Sequence, residues 1–138
     1  MRKFKTFVAI LTLAIMLFSI TGCDGKYKSS YTARSFSHTC IGQRCGASFK
    51  SLDGTFVFRL NYTGNEEGQF IFNATLDEGR VDIYYDAYGI KESLFSVEGG
   101  YPTEGYGGYI DRGSEVYVIL EAKNARGGRI EVILDDGK

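Results

Sequence analysis

The chain has 138 residues, with 16 Lys+Arg against 17 Asp+Glu, 18 Gly, ten Tyr, ten Phe, one His and no Trp. That length fits one domain, the near-zero net charge argues against a nucleic-acid binder, and 43% hydrophobic content argues against disorder. A single His with no dense acid–base cluster argues against a self-contained hydrolase. The first element in chain order is an export signal. Arg2, Lys3 and Lys5 form a positive start, and Phe7 to Ile20 is mostly apolar. Fourteen residues are too few for a membrane-spanning helix, which needs about 20, but they suit the apolar stretch of a signal peptide.

Ile20-Thr21-Gly22-Cys23 follows: a branched apolar residue, two small residues, then Cys. This tetrapeptide resembles the lipobox of bacterial lipoproteins. The resemblance implies a signal peptide over 1–22, a diacylglyceryl (palmitate-type) lipid on the Cys23 sulfur, and cleavage that leaves Cys23 as the new N-terminus. It implies a chain anchored by lipid on the extracytoplasmic face of a cell membrane. Three basic residues and no acidic ones leave with the signal, so 13 basic and 17 acidic residues remain, a net charge of −4. Residues 23–35 are polar and without periodicity. They read as a tether, with a root-mean-square span of roughly 20 Å, and the folded domain is expected over 36–138.

Cys40 and Cys45 are an even pair in an exported chain, which favours a disulfide. Gly42 inside the loop eases its closure. His38 precedes Cys40 by two residues, so His38, Cys40 and Cys45 could be read as three metal ligands, but a zinc site usually wants four, or three plus water, and no second His or further free Cys exists. No metal or cofactor is expected. A redox pair would be C-x-x-C near a βαβ pattern, and G-x-S-x-G is absent.

From Thr55 onward the apolar residues recur every second position, the signal of half-buried strands. Expected strands are Ala47–Leu52, Thr55–Tyr62, Gln69–Leu76, Arg80–Asp86, a weaker one over 90–98, a short one at Tyr109–Ile110, then Glu115–Asn124 and Gly128–Leu134. The inward sets are Phe56, Phe58, Leu60 and Tyr62, then Phe70, Phe72, Ala74 and Leu76, and so on. Asp77-Glu78-Gly79 and Asn124-Ala125-Arg126-Gly127-Gly128 read as short hairpin loops, Thr63–Gly68 as a longer acidic one, and Asp86–Gly89 as a turn. The acidic loops lack a calcium-loop pattern. Outside the signal no helical period occurs. The expected fold is all-β, a small antiparallel β-sandwich of seven or eight strands.

Two groups of aromatic residues stand out. Gly99–Ile110 (GGYPTEGYGGYI) carries Tyr101, Tyr106 and Tyr109 beside Glu104 and Asp111. These rings either present a surface that stacks on sugars or grips a protein, or cap the core edge where the glycines let the chain cross between sheets. Tyr84 should point away from the core that Tyr85 joins, and is a second candidate contact. Gly113–Leu134, with Gly54–Phe58 upstream, resembles the closing hairpin of small β-sandwich modules on bacterial exported proteins, among them the pre-peptidase C-terminal type and single-domain envelope lipoproteins. That resemblance implies a non-catalytic module binding an envelope protein or glycan. The alternative is a structural envelope protein without a discrete ligand.

Overall fold

The computed structural model describes residues 27–64 and 66–135. The expected signal peptide and Cys23 lie outside the described residues. Among the described residues seven strands form, in the order β1 (Ser30–Arg34), β2 (Ser37–Ile41), β3 (Arg44–Asn61), β4 (Gly68–Asp86), β5 (Glu92–Glu98), β6 (Thr103–Ile110) and β7 (Glu115–Asp135). All pairings are antiparallel. The all-β expectation is therefore met.

The two sheets are built in an economical way. β3, β4 and β7 are 18, 19 and 21 residues long, and β7 lies between the other two along its whole length. The first part of β3 pairs β2 and its later part pairs β1. The first part of β4 pairs β6 and its later part pairs β5. The three long strands thus run through two five-stranded sheets. The front sheet has the order β2-β3-β7-β4-β6, and the back sheet β1-β3-β7-β4-β5.

Each long strand bends where it passes from one sheet to the other. Pairing of β3 with β7 slips between Leu52 and Gly54, and pairing of β4 with β7 slips between Glu78 and Arg80. Such bulges turn a strand sharply. Gly79 sits in the bend at φ +89°, where a Cβ would overlap the Asn124 carbonyl. The segments expected to be hairpin loops at 77–79 and 124–128 are therefore corners inside continuous strands, and the Gly113–Leu134 stretch contains one strand, not a closing hairpin. Thr63–Gly68 is no hairpin loop either. It carries the chain from the back-sheet end of β3 to the front-sheet start of β4. Residues 30–34, expected to be tether, pair with β3. Only the Asp86–Gly89 turn joins neighbouring strands as expected, in the β4–β5 hairpin.

Folding the sheet over its corner brings its two apolar faces together. Phe72 of the front sheet stacks on Phe95 of the back sheet, with ring centroids 4.0 Å apart and planes within 3°. Phe70 meets Tyr85 edge to face at 5.2 Å. The residues expected to point inward on β3, β4, β5 and β7 are all buried. Phe36 closes the side between β1 and β2, packed between Tyr31 and Phe56. Each large apolar side chain buried in this way contributes about 1.5–3 kcal/mol.

Cys40 and Cys45 face each other across the β2–β3 hairpin and are joined as a disulfide. Neither sulfur is free to act as a nucleophile. His38 beside them lies against the Phe36 and Phe56 rings. The closed loop is short, so replacing both cysteines with Ser should cost only about 2 kcal/mol. Thermal unfolding with and without reductant measures this.

Candidate functional site

The outer face of the front sheet is shaped by side-chain size. Register places Gly46 of β3 beside Thr39 of β2 and Glu131 of β7, and Asn73 of β4 next to Glu131. The neighbouring row holds Ser48 and Arg129. Gly46 and the short Ser37, Thr39 and Ser48 leave a trough, walled by the longer Asn73, Arg129 and Glu131, with a volume of about 400 Å3. Glu131 is oriented by two donors, Asn73 Nδ2 at 3.2 Å and Arg44 Nη1 at 3.3 Å. On the other side of Asn73, Tyr106 of β6 pairs directly with Ile71 of β4, so their side chains share this face. Tyr106 is 72% exposed and Ile71 39%. The face therefore combines an open aromatic–aliphatic platform with a trough of hydroxyl, amide, carboxylate and guanidinium groups.

Tyr109 sits elsewhere, at one end of the sandwich. Pairing of β6 with β4 slips between Gly68 and Phe70, so the extra residue in Gly107–Tyr109 reverses which side chains face out. The ring of Tyr109 stacks on Tyr88 of the β4–β5 turn, centroids 5.8 Å apart and planes at 16°. Its amide donates to the Tyr85 hydroxyl at 3.2 Å. A hydrogen bond to the Glu67 carboxylate, aided by lost hydration, pushes the Tyr109 phenol well above its usual range. Lost hydration and the nearby Asp111 carboxylate raise Tyr88 as well. Glu66, Glu67, Asp111 and Arg112 line a hollow of about 340 Å3 at this end.

Tyr101 lies at the opposite end of β6, in the β5–β6 crossover. It is 70% exposed, and its amide donates to the Glu98 carbonyl at 3.0 Å. Tyr84 is half-buried on the outer face of the back sheet. Lys91 Nζ lies 4.5 Å from its ring centroid and is paired with Glu121 at 2.6 Å. The four candidate tyrosines are thus spread over a face, two ends and the reverse side, and do not make one patch. The chain crosses between the sheets in Gly99–Ile110, as one reading of this segment expected, but its tyrosine rings do not cap the core edge: all three are exposed.

The back sheet carries a feature that the sequence reading passed over. Asp86 is 2% exposed although its side chain points outward. Tyr27 covers it, donating its hydroxyl to Asp86 Oδ2 at 2.7 Å and packing edge-on against Tyr117 at 5.3 Å. The Gly89 amide donates to the other oxygen at 2.6 Å. One carboxylate therefore ties the N-terminal segment to the β4–β5 turn. Burial, then the bond to Asp86, pushes the Tyr27 phenol from 10.0 up to about 12. A raised folded value means that the contribution is fully present below pH 10.0 and lost as pH rises through about 12. Tyr27→Phe should flatten the fall in stability over that window, as read from chemical unfolding at stepped pH.

Among the described residues no three His, Cys, Asp or Glu side chains come together as a metal site. No family model matches the chain, and no curated protein matches it. Solved structures with a similar fold include a family 29 carbohydrate-binding module complexed with mannohexaose, 12% identical over 78% of this chain and 91% of that one, at a TM-score of 0.41. A family 61 carbohydrate-binding module complexed with β-1,4-galactotriose is 14% identical over 78% and 84%, at 0.42. The C-terminal family 6 module of a marine laminarinase from Zobellia galactanivorans is 5% identical over 77% and 99%, at 0.40. At such scores the likeness is one of general architecture and assigns this chain no ligand.

Proposed function

We propose that this chain is a lipid-anchored envelope protein whose sandwich is a non-catalytic glycan-binding module. The lipobox supports the anchor, through Cys23, on the extracytoplasmic face of the membrane. The observation that carries the binding reading is the front face, where an open Tyr106–Ile71 platform borders the Asn73–Arg129–Glu131 trough. A sugar ring offers an apolar face bordered by hydroxyls. An exposed tyrosine provides area for the first at little entropic cost, and paired amide and carboxylate groups suit the second. A structural protein without a ligand would be expected to bury its tyrosines, and exposure of Tyr101 and Tyr106 favours binding instead. A protein partner on the same face is the second reading, since aromatic and Arg side chains also anchor protein interfaces.

The test is affinity electrophoresis of the chain from residue 24 in gels containing neutral polysaccharides or solubilised cell-wall glycan. Retardation is expected with at least one of them. Tyr106→Ala should weaken it about tenfold or more while leaving the unfolding transition in place. Retardation by none, with capture of an envelope protein instead, would favour the second reading. Labelled palmitate should mark the full chain, and Cys23→Ser should abolish the label.

A further inference from the structure

The Tyr27–Asp86 clasp has a consequence for how the domain stands on a membrane. Only residues 24–26 separate Cys23 from Tyr27. Fully extended, that chain reaches at most about 14 Å. A lipid on Cys23 therefore holds Tyr27, and whatever adjoins Tyr27, close to the bilayer surface. What adjoins it is the β4–β5 turn, joined to the clasp through the Asp86–Gly89 bond. That turn presents Tyr88 and Ile90, 45% and 63% exposed, and Tyr88 stacks on Tyr109, 46% exposed.

We infer that this end of the sandwich, through Tyr88, Ile90 and Tyr109, rests on the lipid surface into which the Cys23 anchor inserts. The inference rests on the lipid anchor proposed above. Two stacked tyrosines, with an exposed aliphatic residue two positions after the first of them, have the amphipathic character favoured at a membrane–water interface, with apolar body and polar tip. Glu66, Glu67 and Asp111 at the same end disfavour an anionic surface, so the contact suits a zwitterionic one and depends on the anchor for its strength. The diacyl anchor supplies the attachment, and the protein contact sets how the domain stands on the surface. This docking separates the roles of the tyrosines: Tyr109 meets lipid, while Tyr106 stands on a side wall of the domain, open to a glycan.

The absence of Trp makes a direct test possible. Ile90→Trp places one fluorophore at the proposed contact. Arg126→Trp places one at the sheet corner, on the order of 25 Å away along the strands. The full lipidated chain is mixed with phosphatidylcholine vesicles carrying brominated acyl chains, floated on a density gradient, and read for quenching. Docking predicts that the chain floats and that Ile90→Trp is quenched about threefold or more over Arg126→Trp, as for a ring at the interface. A chain that floats with both positions equally unquenched overturns the docking and leaves the anchor standing. A chain that does not float overturns the anchor, and the docking with it.

Discussion

Phe70→Ala is expected to cost about 3–5 kcal/mol, a large part of the ~5–15 kcal/mol that holds an ordinary domain together. The ring is fully buried. It belongs to the front-sheet part of β4 but packs edge to face on Tyr85, from the back-sheet part of the same strand. Gly108 lies against it so closely that a Cβ there would come within 2.9 Å of the ring. Removing the ring empties a space that neither sheet can close alone, because each is held by the shared strands. Urea unfolding followed by circular dichroism measures the loss. Tyr106→Ala, an exposed change, should stay within about 0.5 kcal/mol. A cost below about 1 kcal/mol for Phe70→Ala would mean that the two sheets do not meet around it.

Gly79→Ala should be among the most damaging changes at positions with no side chain of their own. Two effects add there. At φ +89° an L-residue is strained, worth about 1–3 kcal/mol. The new methyl group would also overlap the Asn124 carbonyl of the neighbouring bend in β7. Gly100→Ala separates the two effects. Gly100 has a similar φ, +86°, but a Cβ there meets nothing within 4 Å. Gly100→Ala should therefore show the backbone strain alone, and Gly79→Ala distinctly more. Equal costs would contradict the tight corner.

Gly79 also explains what the sequence did and did not disclose. The alternation of Phe70, Phe72, Ala74 and Leu76, and of Val116, Val118, Leu120 and Ala122, identifies the buried face, because a half-buried strand has no other way to sort its side chains. What alternation does not disclose is continuity. In β4 the inward set shifts from even positions at Leu76 to odd ones at Val81, with a glycine between. A hairpin turn and a bulged corner share that signature, since both break phase and both accept a residue at positive φ. The difference lies in which strand pairs alongside. Here β7 runs past both parts of β4, and nothing local in 77–79 encodes that.

The N-terminal part of the domain was hidden for another reason. β1 is an edge strand with one half-buried apolar residue, Ala33, so its sequence is as polar as a tether. The Cys40–Cys45 disulfide was legible, because an even pair at short spacing bears on it directly. Whether the tyrosines of Gly99–Ile110 cap the core edge or face solvent was left open by the sequence, and so was their separation. Tyr106 and Tyr109 are three residues apart, and only the extra residue at Gly107–Tyr109 sends one onto the sheet face and the other onto the end. Asp86 carried no signal of burial, because its cover, Tyr27, lies 59 positions away.

If glycan binds on the outer face of the front sheet, as proposed, titration with a glycan that retards the chain should shift the backbone amides of Ile71, Asn73, Tyr106, Arg129 and Glu131, with Tyr84, Tyr117 and the back sheet unmoved. Perturbations centred on Tyr84 or on the Tyr88–Tyr109 end, with the front face silent, would contradict it.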